Sequence, residues 1–80
     1  MKVYILAFGI VRDMVGGGMF VVDMPNTCTV GELTERLMVL YPALMRLSTF
    51  TVAVNGEYAL PATVIAEGDE VALIPPVSGG

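Results

Sequence analysis

An α+β fold is what the 80-residue sequence predicts: a small mixed sheet of about five strands with one main helix packed on one face. Three observations lead there. The run Lys2 to Phe8 is apolar on both faces of an extended chain; a single stretch, Thr29 to Leu44, repeats apolar residues at helical spacing; and short alternating segments punctuated by glycine turns follow it.

In the first run, "KVYILAF", Val3, Ile5 and Ala7 lie on one side and Tyr4, Leu6 and Phe8 on the other, the pattern of a central strand covered on both faces. Gly16, Gly17 and Gly18 read as a flexible loop, after which Phe20, Val22 and Met24 alternate with Met19, Val21 and Asp23. The two segments therefore form a hairpin with a long loop.

Thr29 and Glu32 then make a capping box, in which each side chain accepts a hydrogen bond from the other residue's amide. Val30, Leu33, Leu37, Leu40, Tyr41 and Leu44 fall on one stripe, with Glu35 and Arg36 off it. Pro42 disfavours helical geometry at Tyr41, so the helix ends near there. Thr51 to Asn55 alternates again, Asn55-Gly56 supplies a tight hairpin turn, and Tyr58 to Leu60 returns as a short strand. Glu67-Gly68-Asp69 turns the chain before a last strand, Val71 to Ile74, which Pro75 and Pro76 must end because neither can donate to a ladder.

The order is strand, strand, helix, strand, strand, strand. The first and last strands, the most apolar, belong side by side in the middle and parallel, joined through the helix. That arrangement is the ubiquitin-like β-grasp, spanning residues 1–74, with residues 75–80 as an extended tail ending in Gly-Gly. No repeat, linker or low-complexity segment interrupts it.

Composition narrows the function. Apolar residues make up 55% of the chain and charged ones 15%, more apolar side chain than so small a domain hides, so part of it faces a partner. The net charge is −4 and the four basic residues, Lys2, Arg12, Arg36 and Arg46, are scattered, which argues against nucleic acid. Stretches free of charge, such as Leu47 to Gly56, fall far short of a bilayer span, and Val3 to Val11 is followed by no small-residue cleavage site, so neither a membrane nor a signal peptide is expected. One cysteine, Cys28, excludes an internal disulfide and fits a reducing cytoplasm.

The catalytic inventory is short. There is no histidine, no phosphate-cradling Gly-Lys loop and no zinc spacing. Glu67, Asp69 and Glu70 are most simply a solvated turn, and Tyr4, Tyr41, Tyr58 and the six methionines are packing groups. Cys28 precedes the helix cap, where the helix dipole favours a thiolate, but a small buried apolar side chain is the plainer reading. No metal or permanently bound cofactor is expected.

What remains is the end of the chain, "LIPPVSGG". From Pro75 to Gly80 it reaches roughly 20 Å when extended. Pro75 and Pro76 stiffen its base, while Gly79 and Gly80 lack the Cβ that would stop them threading a narrow channel. A terminal carboxylate is inert until it is adenylated, and the mixed anhydride is then open to sulfur or amine nucleophiles. A frayed terminus is the alternative.

"VALIPPVSGG", together with "AFGIVRDMVG" after the first strand and the order of elements, resembles the small subunit of molybdopterin synthase over essentially the whole chain. The resemblance implies a sulfur carrier that is not an enzyme on its own. An E1-like adenylating enzyme using ATP would activate Gly80, a sulfurtransferase system would convert it to a thiocarboxylate, and the tail would enter the large synthase subunit. There sulfur passes to cyclic pyranopterin monophosphate, in what the family suggests is a two-plus-two heterotetramer. Gly80 is then the sulfur donor, Pro75, Pro76, Val77, Ser78 and Gly79 are the tail bound by the partners, and Phe8 and Arg12 are docking residues, although Arg12 could instead pair with Asp13. A thiamine-pathway sulfur carrier, a ubiquitin-like modifier joined through Gly80 to lysines, and an interaction module with an inert tail are the competing readings.

Overall fold

The computed structural model describes residues 1–47 and 50–75. The chain forms β1 (Lys2–Ala7), α1 (Gly9–Val15), β2 (Met19–Asp23), β3 (Cys28–Thr29), α2 (Val30–Leu40), a 3₁₀ turn (Pro42–Arg46), β4 (Thr51–Val54), β5 (Glu57–Tyr58), β6 (Val64–Ile65) and β7 (Glu70–Ile74). Five strands make one sheet in the order β2-β1-β7-β4-β5, and β3 and β6 pair separately. β1 and β7 are parallel neighbours at the centre, and every other pairing in the main sheet is antiparallel. This is the expected mixed β-grasp sheet.

The main helix starts as the sequence dictates. Thr29 N donates to Glu32 Oε1 at 2.9 Å and Glu32 N donates to Thr29 Oγ1 at 3.2 Å. The loop before β6 completes the cap, since Val30 N and Gly31 N donate to the carbonyls of Thr63 and Pro61. Amides that a helix start leaves unpaired are thus satisfied by one side chain and two loop carbonyls. Leu33 and Leu37 of α2 and Leu44 of the 3₁₀ turn are wholly buried against Ile5, Ile65, Val71 and Leu73. Each such side chain stabilises the fold by about 1.5–3 kcal/mol through burial. Leu40, assigned to the same stripe, is exposed, because the helix ends there and the stripe passes to Leu44 through the 3₁₀ turn.

Asn55 (φ 52°) and Gly56 (φ 82°) turn β4 into β5 with the positive φ angles that the dipeptide predicts. Asn55 also works across the sheet end. Its Nδ2 donates to Asp69 Oδ1 at 3.0 Å and its Oδ1 accepts from Glu70 N at 3.0 Å, tying the two turns together.

The sequence expectations need four further corrections. The loop between β1 and β2 contains a helix, α1, ended by Gly16 in the left-handed conformation (φ 84°). Gly16 to Gly18 is therefore a helix stop rather than the middle of a featureless loop. β3 and β6 form a second, two-residue pairing, and the return strand after Asn55-Gly56 is only Glu57–Tyr58. The last correction bears on function: β1 is covered on one face only. Val3, Ile5 and Ala7 are buried, whereas Tyr4 is 50% exposed, because both helices lie on the other side.

Candidate functional site

The parallel pairing of β1 and β7 brings the C-terminal ends of the two strands to one end of the sheet. Ala7 stands opposite Leu73, so β1 turns into α1 where β7 finishes. Phe8 N donates to Leu73 O at 3.3 Å across this junction. Pro75, the base of the predicted tail, lies against Gly9: a Cβ built on Gly9 would sit 2.9 Å from Pro75 Cγ. The other tail residues singled out from sequence, Pro76, Val77, Ser78, Gly79 and Gly80, lie outside the described residues.

Of the two candidate docking residues, Phe8 stands beside the tail base and is 48% exposed. Arg12 follows one turn later in α1, its amide donating to the Phe8 carbonyl, and its guanidinium runs toward Gly18 on the β2 side. Among the described residues Arg12 forms no salt bridge, with Asp13 or any other carboxylate; the ion pair present is Lys2–Asp23 at 3.5 Å. Arg12 is therefore a cation presented to solvent. Ile10, exposed like Phe8, adds an apolar side chain to the same junction.

The uncovered face of the sheet continues this surface. Cross-strand partners share a face, so the register sets Met19, Leu6, Ala72, Ala53 and Tyr58 in one row across all five strands. Val21 and Tyr4 make a second row ending at Glu70. Met19 and Tyr58 are largely exposed. The apolar surplus of the composition is therefore concentrated, in part, on one flat face leading to the tail base. Tyr4 and Tyr58, taken from sequence as packing groups, and Met19, taken as core filler, belong to this face, a role that the alternation of β1 and β2 contained but did not assign to either side.

Other candidates from the sequence have structural roles. Cys28 is buried in β3, and burial, reinforced by the nearby Glu32 charge, pushes its thiol pKa up, against the lowering that a helix start alone would cause. Asp69 accepts from Ala66 N at 2.8 Å and from Asn55, and these bonds hold its carboxyl below the usual range. Among the described residues no three acidic, histidine or cysteine side chains converge as a metal site. The cleft between α2 and β4, about 470 Å³, is lined by Val30, Thr34, Met38, Phe50, Val52 and neighbours, none of them titratable. Among the described residues no helix is long and apolar enough to cross a membrane.

A mixed sheet that grips one capped helix, and releases the chain beyond β7 from beside its first strand, defines a ubiquitin-like β-grasp protein. Comparison with known proteins agrees. The chain is 40% identical over 81 residues to the molybdopterin synthase sulfur carrier subunit of Mycobacterium tuberculosis, covering 99% of this chain and 98% of that protein. It superposes on the crystal structure of small archaeal modifier protein 1 of Haloferax volcanii with a TM-score of 0.83 and 30% identity, over 95% of this chain and 98% of the other. It is also similar to one chain in a structure of the complex of subunits 1 and 2 of molybdopterin-converting factor from Helicobacter pylori, with a TM-score of 0.70 and 25% identity over all of this chain and of that one. Residues 5–80 match the ThiS family, and the chain belongs to it.

Proposed function

We propose that this protein is the sulfur carrier subunit of a molybdopterin synthase, with Gly80 as the residue that bears the sulfur. The observation that carries the reading is the similarity, over nearly the full length of both chains, to a protein named for that role. The Gly79 carbonyl and the Gly80 carboxylate have no side chain beside them to hinder attack. In the proposed sequence the Gly80 carboxylate displaces pyrophosphate from ATP on an E1-like enzyme, giving an acyl adenylate. Hydrosulfide then displaces AMP and leaves a thiocarboxylate; a sulfurtransferase that carries the sulfur as a persulfide needs a thiol reductant to release it at that level. Neither displacement changes an oxidation state. The large synthase subunit would supply the groups that move sulfur to cyclic pyranopterin monophosphate, and this chain holds no cofactor of its own in that scheme. Phe8, Arg12 and the open sheet face would dock on each partner in turn while the tail reaches in.

Fragmentation mass spectrometry of the intact chain tests the proposal, after incubation with the activating enzyme, ATP and a sulfide source. Exchange of oxygen for sulfur adds nearly the same mass as oxidation of one of the six methionines, so the shift must be localised. A shift confined to the Gly79-Gly80 end is expected. An unmodified end, under conditions that convert a known carrier, would overturn it. The similarity to a small archaeal modifier supports a second reading, in which Gly80 is joined to lysine amines. Higher-mass conjugates with an isopeptide bond at Gly80 would establish that chemistry.

A further inference from the structure

We infer that Gly9 is a positioning residue for the tail: the missing side chain there seats Pro75 and sets the direction in which the chain leaves β7. Its geometry stands on the described residues, and its consequence for reaction rests on the carrier reading above.

Four glycines among the described residues have positive φ: Gly9, Gly16, Gly56 and Gly68. At Gly16, Gly56 and Gly68 an added Cβ would meet nothing within 4 Å, so only the backbone conformation calls for glycine. Gly9 differs. Its φ of +54° is joined by a steric demand, because a Cβ would lie 2.9 Å from Pro75 Cγ and 3.7 Å from Cδ. Proline Cγ can give way only by a change of ring pucker, because the ring is closed on the Pro75 backbone; what that does not absorb must be taken up by the backbone. Phe8 N donating to Leu73 O holds the same loop to β7 two residues earlier. The loop thus grips the end of β7 at two successive points.

The consequence is a shift at the base of the tail. Leu73 is paired with Ala7 on one side and Val52 on the other, so it resists displacement. Opening 2.9 Å to ordinary contact moves the Pro75 ring by about 0.6 Å, which over an arm of about 4 Å is a rotation of about 10°. A reacting group misplaced by about 1 Å can lose about a hundredfold in rate, so the seat matters to any partner that must hold the terminal carboxylate in line with a phosphate.

The test compares the full-length wild type with Gly9→Ala, Gly16→Ala and Pro75→Ala. Gly16→Ala carries the same positive-φ penalty in open space and controls for stability. With the activating enzyme and ATP, Gly9→Ala should lower kcat for adenylation at least about tenfold while KM stays within about threefold, and Gly16→Ala should leave both near wild type. Pro75→Ala removes the ring from the other side of the contact and should also lower kcat, which keeps the test open if Gly9→Ala fails to fold. A second readout needs no activity. A nitroxide attached at Ser78→Cys, in a Cys28→Ala background, should broaden a different set of amides when Gly9→Ala or Pro75→Ala is added. An unchanged broadening pattern, or Gly9→Ala kinetics matching Gly16→Ala, would overturn the inference. A wild type that is never adenylated counts against the carrier reading instead, and the broadening pattern then decides the role of Gly9 by itself.

Discussion

Two neighbouring side chains on opposite faces of the sheet should respond very differently to truncation. Ile5 of β1 is completely buried, and Met19 of β2, paired with the adjacent Leu6, is 62% exposed on the open face. Ile5→Ala removes buried methyl groups and leaves a cavity among Leu33, Leu37 and Leu73, at a cost of about 2–5 kcal/mol. Met19→Ala forfeits only the covered fraction of its side chain, about 0.6–1.1 kcal/mol when the full burial value of about 1.5–3 kcal/mol is scaled by exposure. A chain of this length has about 4–12 kcal/mol of stability in total, and each kcal/mol moves Tm by about 4–8 °C. Ile5→Ala should therefore lower the midpoint by about 8 °C or more, with Ile5→Val as a milder variant should the alanine protein fail to fold. Met19→Ala should lower it by about 9 °C at most and in typical cases half that. Thermal denaturation followed by circular dichroism measures both. Equal losses, or a larger loss for Met19, would refute the one-sided sheet and restore a strand covered on both faces.

Two further outcomes follow from the local geometry. Thr29→Ala breaks the capping box on Glu32 and should cost about 1 kcal/mol, whereas Thr29→Ser, which keeps the acceptor oxygen, should cost much less; thermal denaturation of the two variants separates them. Asp69 has a lowered folded-state pKa through bonds from Ala66 and Asn55, so its contribution is fully present above the ordinary carboxylate range and is lost as pH falls through the lowered value. A carboxyl-carbon NMR titration should show that lowered midpoint, Asn55→Ala should move it back upward, and an unmoved midpoint in Asn55→Ala would remove Asn55 as a cause.

The legible parts of the fold were those in which neighbouring residues carry the whole signal. Thr29 and Glu32 satisfy each other's amides three residues apart, and Asn55-Gly56 fixes its own φ angles, so both could be read locally. The central parallel pair was legible because β1 and β7 are the most apolar strands. α1 was not. Its seven residues begin with Gly9, include β-branched Ile10, Val11 and Val15, and have no side-chain N-cap, so they resemble more of the preceding strand. Positive φ at Gly9 stops that strand, and packing of Val11 into the core makes the helix. β3 and β6 are two residues each, too short for alternation to register. At the site, Phe8 and Pro75 were legible as residues, but the Gly9 contact that joins their segments depends on distant parts of the chain meeting.

The uncovered face of β1 resolves what the composition left open. Apolar residues on both sides of a strand mean either two covering layers or one layer and a surface kept for a partner, and the alternation is the same in both cases. The fold has its second layer on one side only, yet Met19, Val21, Tyr4, Leu6, Ala72 and Tyr58 remain apolar on the other. Solubility alone would favour charge at these positions, and in the row that runs from Val21 through Tyr4 the one charged member is Glu70, at the start of β7 and away from the Pro75 end. The open face is thus most apolar toward the end where the chain leaves the sheet. In the proposed carrier role, a partner bound there would meet the surface and the base of the tail together, so that recognition of the domain and capture of its C-terminal residues would be parts of one docking event. That coupling follows from placing the last strand beside the first, parallel to it, rather than at an edge.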